Sequence, residues 1–302
     1  MENLEAVQKL DSNLDAGKLP VTVIIAARNE AKNLPRCLQA LKEFAEVHVI
    51  DSQSTDATAE IAKTHGAQVV QFNYQGGWPK KRQWAMDTLP MAHEWILLLD
   101  ADEVLTPELT EEIRFAILNT AMNGYFILLR TWFLGRLLRH GDVRLWKLAL
   151  FRRGKGRFEC RFRNQDTSMA DMEVHEHVVV DGATSKLRSP LVHHNVESLS
   201  RYIQKHDQYS NWESHVLLQR GGDKELPPSL WGTQAQRRRW LKRKLFAVPG
   251  SPALLFLYRY VLRCGFLDGV PGLIYCGLQA VQMFHTKAKI YELKLKKSEN
   301  RG

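Results

Sequence analysis

The chain lacks the features that would tie it into a small secreted scaffold. Its four cysteines, Cys37, Cys160, Cys264 and Cys276, form no C-x-x-C pair and have no zinc-like spacing. That excludes a disulfide framework and a zinc ribbon, and it reads as reduced core thiols in a cytosolic protein. No charged-then-apolar segment opens the sequence, so a cleaved secretion signal is not expected. There is no internal repeat and no low-complexity tract. A regular membrane span is also missing: Arg259, Arg263 and Asp268 interrupt the apolar region after Leu254. Gly265 to Phe284 approaches spanning length but carries Asp268, Pro271 and several glycines. No recognised nucleic-acid module accompanies the basic residues, so nucleic acid is not an expected partner.

What is present is a chain of 302 residues with ordinary apolar and charged fractions. That length buries one large core, or one core with an appendage. The net charge of +9 is unevenly placed, since Trp231 to Gly302 holds 14 lysines and arginines against 3 acidic residues. A near-neutral body therefore carries a strongly basic tail, a pattern that suits an anionic surface.

Hydrophobic patterning divides the body. Strands are expected at Val21–Ala27, Val47–Asp51, Ala67–Phe72 and Trp95–Leu99. Helical patterns follow each, through Leu34 to Phe44, Asp56 to His65, a short stretch opened by Pro79, and a last one reaching about Ala121. This alternation predicts a mostly parallel sheet with helices on both faces. After Gly124 the rhythm changes. Tyr125–Leu129, Lys147–Phe151 and Val174–Val180 read as strands without long helices between them, an antiparallel or mixed extension of the sheet. Helix returns at about Ser198–Gln219, and Gly221–Pro228 reads as a hinge. The expected organisation is a polar leader over 1–20, a catalytic domain over 21–220 and a basic helical region over 221–302.

The most informative stretch is Trp95-Ile-Leu-Leu-Leu-Asp100-Ala-Asp102-Glu103. A continuous apolar run is how a strand buried on both faces reads. Open α/β sheets place ligands at the carboxyl ends of their strands. Two carboxylates at such an end suit a hard cation, because Mg²⁺ and Mn²⁺ take oxygen ligands, commonly one or two carboxylates plus substrate phosphates. A second reading is a helix start, since Thr106-Pro107-Glu108 follows at once. Two further polar clusters end earlier strands, Ala27-Arg28-Asn29-Glu30 and Asp51-Ser-Gln-Ser-Thr-Asp56. The latter is also ideal turn chemistry, with Asp51 and Asp56 as turn and cap residues.

In their order and spacing these motifs resemble the family 2 glycosyltransferases of the GT-A fold. Val174-His175-Glu176, Gly182, His193 and Tyr209 continue the resemblance over most of the chain. Gly265-Phe-Leu-Asp-Gly269 is similar to the branch that adds glucose to the lipopolysaccharide core. The resemblance implies an α/β fold with a mixed sheet flanked by helices and a helical C-terminal extension. It implies Mg²⁺ or Mn²⁺ as cofactor, with Asp102 as direct metal ligand and His193 completing metal or diphosphate binding. Asp100 would face the ribose or the metal's water shell, and Asp51 would hydrogen-bond the uracil. Ala27 and Arg28 would line the base pocket with Glu30 nearby. Arg82, in Lys80-Lys81-Arg82-Gln83, would meet uracil or diphosphate; the same run has a second reading as a solvated charged face.

Family 2 enzymes invert the anomeric centre by one displacement, which needs a carboxylate to take the acceptor hydroxyl's proton. Glu176, on the strand expected at Val174–Val180, is the candidate. There His175 and His177 would lie on the opposite face from Glu176, which argues against a zinc site of all three. One departure stands out: Ala149 occupies a position where relatives often carry Arg in R-L-F. If that Arg holds phosphate or acceptor, Arg144, Arg152 or another group must replace it here.

The tail packs six basic residues into the eight positions Arg237–Lys244, around Trp240 and Leu241. Beside the apolar helices that follow, this fits an interfacial anchor, at about 1 kcal/mol per cation near an anionic leaflet. Packing of the same helices on the catalytic domain is the other reading. The expected activity is transfer of a hexose, glucose first among them, from a UDP-sugar to a lipid-anchored glycan such as the lipopolysaccharide inner core. The expected location is peripheral, on the cytoplasmic face of the inner membrane. A polyprenyl-phosphate sugar synthase and a non-catalytic nucleotide-binding membrane scaffold are the alternatives.

Overall fold

In the computed structural model the described residues are 17–167, 169, 171–173, 176–194, 198–218 and 225–299. Strand β1 spans Leu19–Ala27, two residues earlier than its apolar pattern suggests. Helix α1 (Leu34–Gln39) is short and β2 (Phe44–Asp51) follows, so Phe44 opens a strand instead of closing a helix. Then come α2 (Thr58–Thr64), β3 (Gln68–Gln71), α3 (Lys81–Thr88) and β4 (Trp95–Asp100). After β5 (Glu103–Leu105), α4 (Pro107–Ala116) starts where Pro107 supplies its fixed φ and the Thr106 side chain accepts from Leu109 N at 3.2 Å. Next are β6 (Gly124–Phe133), β7 (Arg136–Leu137), β8 (Leu145–Arg152), β9 (Gly156–Phe158), β10 (Val178–Val180) and β11 (Thr184–His194).

Nine strands form one mixed sheet in the order β3-β2-β1-β4-β8-β6-β11-β5, with β7 paired to β6. Strands β1 to β4 run parallel, as their helical crossovers require. The later strands build the mixed extension: β8 is antiparallel to β4 and β6, while β11 is parallel to β6. The carboxyl ends of β1, β2, β4, β6 and β11 therefore meet along one edge.

The alternation along β1 assigns its faces. Val21, Val23 and Ile25 pack with Leu97, Leu99, α1 and α4, whereas Ile24 packs with Ile96, Leu98 and Phe151 beneath Ala85 of α3. Burial on both faces is why β1 and β4 read as unbroken apolar runs.

The C-terminal part is helical: α5 (Leu199–Leu218), α6 (Gln234–Ala247), α7 (Ser251–Leu257), a wide turn over Tyr258–Leu262, a tight turn over Gly265–Asp268, and α8 (Gly269–Glu299). These helices do pack on the body. Arg239 of α6 ion-pairs with buried Glu159, and Lys242 with Glu213 of α5. Ile274, Tyr275 and Leu278 of α8 close a small core around Phe133, Leu138, Val143 and Tyr202. The Gly265–Gly269 motif is the lock. Buried Asp268 accepts from the backbone N–H groups of Arg139 and His140 at 3.0 and 2.8 Å. A side chain at Gly272 would meet Gly265 O at 2.2 Å.

No single helix among the described residues is long and apolar enough to cross a membrane; 251–262 and 265–299 together reach that composition but are bent by 71°. The first half of the expected hinge, 221–224, and the 1–16 stretch of the leader lie outside the described residues.

Candidate active site

The polar clusters that end β1, β2 and β4 come together along the common edge. Asn29 and the loop after β2 hold each other: Asn29 N donates to Ser54 Oγ, and Thr55 N to Asn29 Oδ1, both at 2.8 Å. Ala27 is buried at the end of β1 and Arg28 is exposed beside it. Asp51 is buried and accepts from Ser54 N at 3.2 Å and Gln71 Nε2 at 2.9 Å. Its carboxylate thus sets the conformation of the loop after β2. Asp56 stands one residue before the N-cap Ala57 and ties the start of α2 to the loop after β1, accepting from Thr58 N at 3.0 Å and Ala31 N at 3.2 Å.

The Asp-Ala-Asp turn is braced from behind. Asp100 N donates to Glu103 Oε2 at 2.9 Å, and the Glu103 carboxylate receives Lys147 Nζ at 2.9 and 2.7 Å. Asp100 is held by Arg82 and stands 3.6 Å from Lys147. Asp102 is 7 % exposed. His193 of β11 places Nε2 3.2 Å from its Oδ2, and Lys205 of α5 stands 3.9 Å away. Burial, which disfavours its charge, is outweighed by His193 and Lys205, so the Asp102 carboxyl lies below its ordinary range. In His193 burial likewise opposes charge, and the Asp102 carboxylate overcomes it, leaving the imidazole above its ordinary pKa.

Asp102 Oδ1 is buried without a hydrogen-bond partner. A buried carboxylate oxygen with nothing to accept is costly, and a cation satisfies it. The donor set of Asp102 and His193 therefore fits a divalent metal, although no cluster of three or more ligating side chains occurs among the described residues. Two protein ligands suffice when water and phosphate oxygens complete the shell.

Helix α5 lies over this point with Arg201, Lys205 and Tyr209 spaced four apart, hence on one face. Arg201 donates to Glu30 Oε1 at 2.9 Å and to Arg28 O at 3.1 Å. Burial raises the Glu30 pKa, with Asp102 adding to it. Nothing in the linear sequence singles out Arg201 or Lys205 except that helical spacing beside Tyr209.

The run Lys80-Lys81-Arg82 is not a solvated face. All three side chains are buried where α3 begins, each against an acid some ninety residues later. Lys80 Nζ stands 3.6 Å from Glu176, Lys81 Nζ 3.3 Å from Asp171, and Arg82 3.9 Å from Glu173. Lys81 Nζ also donates to Ala27 O at 3.0 Å, which fixes the end of β1.

Glu176 is correspondingly not on a strand. It lies in the loop before β10, so the alternation expected around it does not apply; His175 lies outside the described residues. Its carboxylate accepts from Arg161 N at 3.3 Å, and Oε2 has no hydrogen-bond partner. Burial pushes the Glu176 carboxyl up to about 8 against the pull of Lys80, and burial depresses Lys80 in turn.

Ala149 is fully buried in the core of β8. Arg152 does not stand in for the missing Arg, because it binds Glu94 and Met122 O at the opposite end of the sheet. The cation that β8 itself places near Asp100 is Lys147, two residues before Ala149 and on the same face. Arg144 lies at the open edge, lining a cavity with Arg130 and Arg139.

A doubly wound edge carrying carboxylates and cations at four strand ends is what a nucleotide-sugar transferase of the GT-A type presents. The chain belongs to glycosyl transferase family 2, whose family model matches residues 22–177. It is a glycosyltransferase. It is 26% identical over 285 residues to the lipopolysaccharide core biosynthesis glycosyltransferase LpsC of Rhizobium meliloti, covering 91% of this chain and 93% of that one. An uncharacterized glycosyltransferase of Rickettsia prowazekii is 24% identical, with 91% and 88% covered. Among solved structures, residues 1–349 of S. aureus TarS superpose with a TM-score of 0.44 at 15% identity, covering 91% of this chain and 92% of that one. Glucosyl-3-phosphoglycerate synthase of Mycobacterium tuberculosis, solved with Mn²⁺, UDP and glucosyl-3-phosphoglycerate, gives 0.39 at 13%, covering 71% and 85%.

Proposed function

We propose that this protein is an inverting, divalent-metal-dependent transferase that moves a hexose, glucose first among the candidates, from a UDP-sugar to a lipid-anchored glycan of the lipopolysaccharide inner-core kind. The observation that carries the donor half is the buried, unpartnered Asp102 Oδ1 beside His193. Mg²⁺ or Mn²⁺ held there would neutralise charge on the departing diphosphate without a proton. Lys205 stands where it can add to that neutralisation, while Arg82 and Lys147 hold Asp100 in place. Asp51 with Ala27, Arg28 and Glu30 would frame the nucleoside end. Glu176, buried and raised in pKa, is suited to take the acceptor's proton.

The acceptor half is supported by the likeness to LpsC over nearly its whole length. It is supported too by the tail, where Leu257, Leu262, Phe266, Leu267 and Val270 are exposed in a segment that also carries Arg259 and Arg263. That surface suits peripheral attachment to an anionic leaflet, on the cytoplasmic face of the inner membrane.

The experiment is UDP release by purified protein across a panel of UDP-hexoses, with Mn²⁺ or Mg²⁺ and with EDTA. Slow hydrolysis of one donor, abolished by EDTA and accelerated by detergent-dispersed inner-core glycolipid, is the expected result. UDP release that ignores EDTA would remove the metal, and silence with every donor and acceptor would remove the activity.

A further inference from the structure

Strands β6 and β8 part beyond the Leu129–Leu145 pair. The excursion between them carries Arg130, Arg136, Arg139, His140 and Arg144. Its one acid, Asp142, is already taken, 3.4 Å from Arg238 and 4.0 Å from Arg263. A cavity of about 280 Å³ opens here, lined by Leu129, Leu138, Val143 and by Arg130, Arg139 and Arg144. Among the described residues no carboxylate lies within ion-pair distance of those three guanidinium groups. Like charges gathered without a counter-charge repel one another, so the cavity favours an anion that several forks can share.

Its position says which anion. Thr131 pairs with His193, which touches Asp102, so the cavity wall at Leu129 and Arg130 lies within two strand residues of the proposed metal corner, with the Arg130 side chain on the other face of the sheet. On its other side the excursion is pinned to the apolar turn. Arg136 donates to Leu267 O at 3.0 Å, and Asp268 accepts from the backbone of Arg139 and His140. Phe266, Leu267 and Val270 of that segment are exposed. A ligand seated here lies between the reacting corner and a surface fit for acyl chains.

We propose that the cavity between β6 and β8 is the acceptor subsite, taking a phosphate carried on the sugar headgroup of a lipid. This rests on the lipid-anchored-glycan reading above and narrows its acceptor to a phosphorylated one. A phosphomonoester dianion supplies the charge and the three oxygens that bidentate arginines match.

The test is co-sedimentation of the full chain with phosphatidylcholine vesicles carrying diphosphoryl lipid A, or phosphatidylglycerol at matched charge. The wild type is expected to prefer the lipid A vesicles. Replacing Arg130, Arg139 and Arg144 by glutamine should cut that preference by about tenfold or more, because charge-assisted hydrogen bonds of this kind are strong. A control variant with glutamine at exposed Lys42, Lys63 and Lys155, at the opposite edge of the sheet, should keep it. Equal binding to both vesicle types overturns the proposal, as does a preference that survives the arginine variant or falls equally in the control. All six side chains are exposed, and thermal melts check that each variant is folded. The assay needs no turnover, so failure of the transferase reading would appear in the UDP-release panel and leave this result independent.

Discussion

His193 Nε2 lies 3.2 Å from Asp102 Oδ2, while the other oxygen of Asp102 is buried with nothing to accept. The pair joins the end of β4 to the end of β11, so one corner of the sheet holds both proposed ligands. Asp102→Asn keeps the shape and loses the charge. Metal-stimulated UDP release is expected to fall on the order of a hundredfold or more, the scale of losing one electrostatic contact to a developing oxyanion. Calorimetry of UDP binding with and without Mn²⁺ should show the metal's enhancement disappear. Undiminished turnover would sink the assignment.

Glu176 allows a prediction on pH. Burial holds its carboxyl at about 8, so at neutral pH most of it is protonated and unable to take a proton. In the base role proposed for it, the active form is the carboxylate. Transfer should therefore rise about tenfold per pH unit below that value and level off above it. Glu176→Gln should retain UDP binding and lose both transfer and this limb of the profile. A Gln variant with the wild-type profile would give the limb to another group.

How far the sequence alone reveals this site can be judged from particular residues. Strands β1 and β4 are legible because burial on both faces leaves unbroken apolar runs ending in polar clusters. Lys80, Lys81 and Arg82 are not legible as buried. Their counter-charges Asp171, Glu173 and Glu176 lie some ninety residues away, and a charge run with no visible partner reads as solvated. The same partnership explains Glu176. Its segment is rich in β-branched residues and looks like a strand, but the three acids turn toward α3 and only Val178–Val180 pair with β9. Lys147 is hidden for a similar reason, since Glu103 and Asp100 reach it across the sheet.

Lys147 yields a stability prediction. Glu103 is 1 % exposed, and Lys147 is its ion-pair partner. Removing one member of a buried pair leaves the other charge uncompensated, which costs about 3–5 kcal/mol when both are fully buried. Lys147 is partly exposed, so Lys147→Met should cost about 2–3 kcal/mol in urea unfolding. Adding Glu103→Gln removes the orphaned charge and should recover a good part of that loss. If the double variant is no more stable than the single one, Glu103 does not need its cation.

The apolar turn supplies the last prediction. Leu262 is 74 % exposed and Val270 68 %, on either side of the bend that carries Phe266 and Leu267. Hydrocarbon this exposed gains little in the folded protein alone, and fully burying such side chains would contribute about 1.5–3 kcal/mol each. Insertion at a lipid interface buries only part of that area, so Leu262→Ser and Val270→Ser should each weaken partitioning onto phosphatidylglycerol vesicles by roughly threefold to tenfold. Their thermal stability should stay within about 0.5 kcal/mol of wild type, as for exposed positions generally. Raising salt tests the other component, because the attraction of Arg237–Lys244 to anionic lipid is screened over about 10 Å at 0.1 M. If binding falls with salt but ignores both serine variants, the basic helix holds the surface and the turn faces elsewhere. If it responds to both, the bend enters the leaflet beside the arginine cavity, and acceptor and enzyme meet at one interface.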